Sequence, residues 1–466
     1  MIELMAHQRE GIDFLTEGKS GLLAFEQGLG KTLVAIDAFR RLQAAHQVDR
    51  MLVICPNSLK RNWVAELGKF APDTSVEIAE GSPRTRRAVL VRSKATVLII
   101  SYETARAEIT AVLAFLQRQR TALVLDESHA TKNWKSLTST AARHFAPHSE
   151  YRWLLSGTPV TNSPVDLYTQ VEILAPGQHL LGSLESFKEM VEHDEDAHFA
   201  KNVFDRLIFR RTKEDCLDLP EKTFVDIRVD LPSWQRALYD EMRDKMICDI
   251  QAMSGEQYRA FASTALVQLT RLSQLASNPA LLFPKLEAVP GKFEALDGVV
   301  SDILSVPGRK VIIWSNYVRS IESLLKRFGR WGAVAIYGGT PADDRQDIAR
   351  LFQTNDDVRV LIGNPSAAGT GFTLTAATYT VYESLSWRYD HYAQSQDRNH
   401  RIGQHERVTY LRLLAADTIE EAIVNALERK SAMARSLLGD KAVVATISRL
   451  SKEEMCDLLT TNHLPN

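Results

Sequence analysis

Three short stretches carry residues whose types and spacing suit phosphate chemistry. The first, FEQGLGKTLVAI (25–36), sets Gly28, Leu29 and Gly30 just ahead of Lys31 and Thr32, with an apolar helical pattern behind them. A glycine turn that leaves a strand and opens a helix points backbone N–H groups at an anion, and the helix N-terminus adds partial positive charge. In that setting Lys31 would reach the β- and γ-phosphates of a nucleotide, and the Thr32 hydroxyl would hold Mg2+. The full glycine-rich pattern wants a glycine six positions before the lysine, where this chain has Phe25. A purely structural glycine turn therefore stays open on this stretch alone. The second stretch, LVLDESH (123–129), is an apolar strand ending in two carboxylates, at the place where α/β sheets bind ligands. Asp126 would hold Mg2+ through water and Glu127 would polarise an attacking water; the plainer alternative is an acidic pair capping a helix. Asp126 follows Lys31 by 95 residues, and two matched signals, each at a strand C-terminus, favour the phosphate reading. The third stretch, QSQDRNHRIGQ (394–404), spaces Arg398 and Arg401 three apart, so that on a helix they share a face. Phosphoryl transfer needs positive charge on the γ-phosphate as it leaves. A solvated charge stripe is the alternative, and the pair's place after a strand favours the catalytic one.

The elements that must position these residues follow from hydrophobic periodicity. LLAF (22–25), MLVICP (51–56), ATVLIIS (95–101), ALVLDE (122–127) and YRWLLSG (151–157) read as buried parallel strands, with helices such as 31–45 and 59–70 between them. The same grammar returns in KVIIWS (310–315), AVAIYGG (333–339), VRVLIGN (358–364) and YTVYES (379–384), with helices at 317–328 and 341–353. The expected fold class is therefore α/β, with two tandem lobes at 1–165 and 292–425, a mostly helical stretch at 166–291 and a helical segment at 426–466. Leu266, Leu269, Leu272 and Leu275 form an i, i+3 stripe expected to pack in a core. VPGKFEAL (289–296) looks like the hinge into the second lobe.

Bulk composition narrows the class without naming a partner. With 45% hydrophobic and 24% charged residues, the 466-residue chain has a globular composition. Lys plus Arg is 56 and Asp plus Glu is 58, a net charge of −2, so no global argument points to a polyanion and none excludes one. Cys55, Cys216, Cys248 and Cys456 are too dispersed for a metal knuckle or a disulfide framework. MIELMAHQREG has no signal pattern and no apolar run reaches membrane-span length. The expected compartment is cytoplasmic, or nuclear in a eukaryote.

Taken in order, these stretches and their neighbours resemble the motif series of Swi/Snf-type ATP-dependent DNA translocases of helicase superfamily two. LMAHQREGIDFL (4–15) resembles the opening motif, and GLGKT and DESH resemble the first and second motifs. CPNSLKRNWVAEL (55–67) and ISYE (100–103) resemble first-lobe DNA-contact motifs, and LLSGTPVTNSPVDLY (154–168) the third motif, which couples ATP state to DNA grip. RRTKEDCLDLPEKT (210–223) and LVQLTRLSQLASNPALL (266–282) resemble the family's helical insertions. GTGFTLTAAT (369–378), SW (386–387) and the double-arginine stretch complete the series.

The resemblance implies two RecA-like (P-loop) lobes clamping duplex DNA, largely without regard to base sequence, with ATP and Mg2+ as cofactors. It implies that Gln8 reads adenine and that Gly371 joins Arg398 and Arg401 at the nucleotide. It further implies DNA contacts from Asn57, Ser58, Ser101, Tyr102, Ser315, Gly369, Thr370 and Trp387. Coupling between nucleotide and DNA would fall to His129, Ser156, Gly157, Thr158 and Gln394. The chain departs from the family pattern at Phe25, where an acidic residue is usual, and at Asn278, where histidine often precedes proline. NPSAAGTG (364–371) varies a stretch that usually contains threonine and arginine.

The expected function is a DNA-dependent ATPase that translocates on duplex DNA. A strand-separating helicase and an ATP-gated DNA clamp that recruits a partner are the alternatives. Other features carry plainer readings. SPRTRRAVLVRSK (82–94), with five cations and no acid, reads as a solvated helix face, with tracking of a phosphate backbone as the alternative, and EMVEHDEDAH (189–198), with His193 and His198, as exposed. Trp63, Trp153 and Trp314 read as core anchors, and Trp387 is the one candidate for base stacking.

Overall fold

The structure, a computed structural model, describes residues 4–157, 165–193, 197–262, 265–368, 372–435 and 450–462. Two compact units divide it: the first runs to Asp218, and the second from Leu219 to Met433 together with 450–462.

The first unit is built on β1 (Ser20–Phe25), β2 (Arg50–Cys55), β3 (Val76–Ile78), β4 (Val97–Ser101), β5 (Thr121–Asp126), β6 (Tyr151–Leu155) and β7 (Ile208–Arg211). They form one sheet in the order β3-β4-β2-β5-β6-β1-β7, every pair parallel. β1, β4 and β5 are buried along their whole length, as expected for parallel strands covered by helices on both faces. That is why SGLLAF and TALVLD are continuous apolar runs rather than alternating ones. One face is closed by a core that includes Phe25, Phe39, Trp63 and Trp153.

The second unit repeats the plan with β8 (Lys222–Val229), β9 (Val311–Trp314), β10 (Val334–Ile336), β11 (Val360–Gly363), β12 (Tyr379–Tyr382) and β13 (Val408–Ala415). The order is β10-β11-β9-β12-β13-β8, again all parallel. Two cores cover its faces, one around Trp314, Tyr382 and Tyr410 and one around Phe293, Ile313 and Val381.

All nine expected strands are present. The sequence reading missed four: β3, β7, β8 and β13. β3 is only VEI and half-buried, and β7 is the four residues IFRR. β8, KTFVDIRV, is the outermost strand of its sheet, exposed over much of its length, with charges between its apolar residues. The stretch 166–291 thus contributes a strand to each sheet besides its helices. Among those helices, Ala265–Ser277 buries Leu269, Leu272 and Leu275 fully, in a core shared with Tyr239, Ile250, Ile419 and Leu458. Leu266 is the exception, at 49% exposure. Each i, i+3 step turns about 60° back around a 3.6-residue helix, so four such leucines span half the circumference and the first rotates out.

One buried ion pair joins helix Gly291–Leu304 to the helix beginning at Ile419. Lys292 Nζ donates to both oxygens of Glu420 at 2.7 and 2.8 Å, and both side chains are essentially unexposed. Glu420 Oε2 also accepts from Ala415 N, and Tyr239 Oη accepts from Ile419 N. Burial raises the Glu420 carboxyl even against the pull of Lys292. Removing one partner strands the other's charge, so Lys292→Ala is expected to lower stability by about 3–5 kcal/mol, read as a drop in the urea midpoint. Lys292→Met with Glu420→Leu should lose far less, and equal losses in the two variants would show that packing, not charge, is at stake.

Candidate functional site

In the first unit the chemistry-bearing residues come together because three neighbouring strands end at the same edge. β5, β6 and β1 are adjacent in that order, and parallel pairing sends all three C-termini the same way. Neighbouring strands are about 4.8 Å apart, so the carboxylates after β5, Ser156–Gly157 after β6 and the glycine turn after β1 line up side by side.

The turn has the backbone the glycines imply. Gly28 and Gly30 have φ of 93° and 84°, in the left-handed region that glycine enters without strain, and Gly30 starts helix Lys31–Ala44. A Cβ at Gly30 would stand 2.6 Å from Gln8 Nε2. Gln8 is buried, donates to Leu29 O at 3.3 Å and accepts from Met5 N at 3.0 Å. The His7 ring meets the same Leu29 carbonyl at 3.1 Å. Helix Ala6–Gly18 is thereby fastened to the turn by two adjacent side chains. His7 was not anticipated; the only signal for it was its place beside Gln8. Lys31 Nζ donates to Phe25 O at 2.8 Å, curling back over the turn, and Thr32 is half-buried in the first turn of the helix. Phe25 is buried and packs its ring 5.7 Å from that of His7 and 5.6 Å from that of Phe209, so an aromatic contact fills the place of the missing glycine.

Asp126 is 6% exposed. Its Oδ2 accepts from Trp63 Nε1 at 2.8 Å and its Oδ1 from Glu127 N at 2.9 Å. Burial, reinforced by the Glu127 charge, pushes its carboxyl up to about 6, against the lowering effect of the Trp63 hydrogen bond and of Lys31. Trp63 is therefore a core anchor, as expected, and also a hydrogen-bond donor to the site. Glu127 has φ 51° and ψ 51°, a left-handed backbone that non-glycine residues seldom adopt and that concentrates at functional sites. His129 Nδ1 lies 3.4 Å from Glu127 Oε2 and 3.4 Å from Ser156 Oγ, so one imidazole spans the strand ends of β5 and β6. Gly157 completes the convergence: a Cβ there would stand 3.1 Å from Gln27 Cγ and 3.5 Å from Lys31 Nζ.

The hydroxyl of Thr32 and the carboxylate of Asp126 are hard oxygen donors of the kind Mg2+ takes alongside phosphate oxygens and water. Both Asp126 oxygens keep lone-pair capacity beyond the one hydrogen bond each accepts. No group of three or more His, Cys, Asp or Glu side chains that could hold a metal ion exists among the described residues.

The remaining first-unit candidates lie in different surroundings. Asn57 is exposed and Ser58 half-exposed at the turn after β2. Ser101 and Tyr102 are buried. Ser101 Oγ accepts from Thr104 N at 3.2 Å and Tyr102 Oη donates to Asp126 O at 2.9 Å, so Tyr102 braces the carboxylate strand. In the basic helix Pro83–Arg92, Leu90 points inward while Arg84, Arg87 and Arg92 are exposed.

In the second unit, Arg398 and Arg401 do not share a helical face. Helix Tyr389–Gln396 ends before them. Arg398 O accepts from Leu374 N, and Asn399 Nδ2 donates to Ala377 O and Thr380 Oγ1. These tertiary hydrogen bonds draw the backbone out of helical register. Arg398 is buried, with Nε donating to Gln394 O at 3.1 Å. Arg401 is half-buried, with Nη1 donating to Phe372 O at 3.2 Å. Ser315 is fully buried. Trp387 is half-buried and packs against two cores, whereas Trp153 and Trp314 are wholly buried. Asn278 caps the turn that follows it, accepting from Ala280 N at 3.1 Å. Thr158, Gly369, Thr370 and Gly371 lie outside the described residues, as do the side chains of His193 and His198.

A family model of the SNF2-related domain matches residues 7–281, more than half of the chain. The chain belongs to the SNF2-related family. A model of the helicase conserved C-terminal domain matches residues 291–403. Among SNF2-type relatives, an uncharacterized ATP-dependent helicase of Mycoplasma pneumoniae is 29% identical over 98% of this chain and 44% of its own length. The ATP-dependent helicase brm of Drosophila melanogaster is 29% identical over 92% of this chain and 28% of its own. The chain thus spans less than half the length of these curated relatives. A solved Sulfolobus solfataricus SWI2/SNF2 ATPase core in complex with dsDNA aligns over 98% of this chain and 97% of that one, at 25% identity and a TM-score of 0.44. No helix among the described residues is long and apolar enough to cross a membrane.

The turn is the most exacting part of the site. Gly30→Ala meets both a strained φ and the Gln8 side chain, and should reduce nucleotide binding severely in a fluorescent-nucleotide titration. Adding Gln8→Ala removes the steric conflict but not the backbone strain, so recovery should be partial; full recovery would show that φ at position 30 is unimportant.

Proposed function

We propose that this SNF2-family chain is a DNA-dependent ATPase that translocates on duplex DNA. The observation that carries the reading is the convergence of the Gly28–Thr32 turn, the Asp126–Glu127 pair and Ser156–Gly157 at three adjoining strand ends. The curated relatives' names as ATP-dependent helicases support it. In this reading Lys31 steadies the β- and γ-phosphates, and Thr32 and Asp126 hold Mg2+, which neutralises phosphate charge when bound. Glu127 orients the attacking water, and the His129 imidazole, within 3.4 Å of both Glu127 Oε2 and Ser156 Oγ, couples the two strand ends. Gln8 faces the base. Arg398 and Arg401 of the second unit offset charge that develops on the γ-phosphate. Asn57 and Ser58 contact the DNA backbone, while Ser101, Tyr102 and Ser315, being buried, act by shaping the loops that do. We assign 1–165 and 292–425 as the bodies of the two RecA-like lobes, 166–291 as insertions and linker that also lend β7 and β8 to the two sheets, and 426–466 as a C-terminal helical segment. Dispersed cysteines suit a reducing, cytoplasmic or nuclear setting.

Two variants separate binding from chemistry. Lys31→Ala should weaken both nucleotide binding and turnover. Glu127→Gln should keep binding and lose on the order of 100-fold or more in hydrolysis. Wild-type turnover in Glu127→Gln would overturn the assignment of the catalytic carboxylate. Turnover should rise with duplex DNA at least as much as with single strands and show little dependence on base sequence, and binding should weaken steeply with salt as counterions are released. Equal turnover with and without nucleic acid would overturn the translocase reading, and strand release in a gel assay would favour a helicase.

Arg401 tests the second unit. Arg401→Ala should leave nucleotide affinity nearly intact and cut the DNA-stimulated rate by roughly 1,000-fold, with poor rescue by lysine, which lacks the planar fork. If Arg401 serves only its local bond to Phe372 O, the variant should instead melt earlier and keep its stimulation per folded molecule.

A further inference from the structure

Glu383 is a wholly buried carboxylate at the end of β12. Unlike Glu420, which has Lys292, it has no cation among its hydrogen-bond partners in the described residues. Its Oε1 accepts from Ser277 Oγ and its Oε2 accepts from Ser315 Oγ at 2.7 Å. The two serines belong to different elements: Ser277 ends helix Ala265–Ser277, and Ser315 begins the loop after β9.

The rest of that loop is held from the same two directions and from the end of β11. Ser384, next to Glu383, accepts from Asn316 N at 2.9 Å through its hydroxyl and from Asn316 Nδ2 at 2.8 Å through its carbonyl. Tyr317 Oη donates to Ser273 Oγ at 3.1 Å, a second link to the same helix. Asn364 Nδ2, after β11, donates to Asn316 O at 2.9 Å. The helix is itself fixed, because Gln235 Nε2 donates to the carbonyls of Leu275 and Ala276 near its C-terminal end. Those carbonyls have no partner within their own helix.

Apolar side chains would fill this space without the penalty of burying a charge. A carboxylate can accept on two oxygens at once from two separate elements, which fixes their relation as apolar contact does not. We propose that Glu383 is a positioning residue that locks the loop Ser315–Tyr317 to helix Ala265–Ser277, so that the helical segment sets how the loop is presented to DNA. The proposal rests on the DNA-dependent reading above.

The test is duplex binding without nucleotide, by fluorescence anisotropy with a labelled duplex of mixed sequence, alongside basal ATP turnover and melting temperature. Glu383→Ala should raise the half-saturating duplex concentration about tenfold, as expected for losing a hydrogen bond to a charged group, while basal turnover per folded molecule is unchanged. Glu383→Gln should restore binding, since its amide can accept from one serine and donate to the other; Glu383→Leu, of similar size, should not. Unchanged half-saturation in Glu383→Ala, or full rescue by leucine, overturns the proposal. If the wild-type chain itself fails to bind duplex, the functional reading falls and this inference with it. Should Glu383→Ala not fold, Ser277→Ala replaces it, since it removes the helix side of the link: weaker duplex binding with unchanged basal turnover supports the lock, and unchanged half-saturation overturns it.

Discussion

Parallel strand pairing is the constraint on which the site depends. In an antiparallel sheet, neighbouring strands end at opposite edges, and residues 156–157 after β6 would be carried to the far edge from 25–32 and 126–129. With β5, β6 and β1 parallel and adjacent, three segments distant in sequence end on one line. The cost of that arrangement is that both faces must be covered, and the helices and aromatic side chains of the first unit do so. Trp63 shows how the two duties merge: it fills the core, and its indole N–H also satisfies one oxygen of a carboxylate that burial would otherwise leave under-solvated.

The same constraint explains what could be seen in the sequence. Interior parallel strands are buried on both faces, so LLAF, MLVICP and ALVLDE stand out as unbroken apolar runs. Edge strands lose that signal, and so does the interior β13, where Thr409 and Arg412 interrupt the apolar residues of VTYLRLLA. β3 and β7 are too short to rise above the background, and β8 carries Lys222, Asp226 and Arg228 because one side of it meets water. The glycine turn and the acidic pair were legible because backbone geometry and charge demand particular residue types. The tertiary hydrogen bonds of Arg398 and Asn399 were not: three-residue spacing speaks of a shared face only if the helix continues, and nothing local announces that Ala377, Thr380 and Leu374 will claim those polar groups.

Buried polar groups are used differently in the two units. In the first they gather at the strand ends and orient one another around Asp126 and Glu127, and Glu127 also has a left-handed backbone. In the second they tie helices to one another, through Lys292 with Glu420 and through Gln235, and a helix to strand ends, through Glu383 with its two serines. Such groups fix relative placement, because a hydrogen bond has one good geometry while an apolar contact has many.

β8 has a bearing on how the molecule is made. It opens the second unit, yet its partner in the sheet is β13, with Lys222 aligned to Val408 and Asp226 paired with Arg412, 186 residues later. At a synthesis rate of about 5–20 residues per second, roughly 10–40 s separate the emergence of the two strands. Throughout that interval a nascent β8 carries Phe224 and Val225 with no strand beside it, and Phe224 later stacks on Tyr410. The second sheet therefore closes late in translation, and β8 is the segment a ribosome-associated chaperone would have longest to hold.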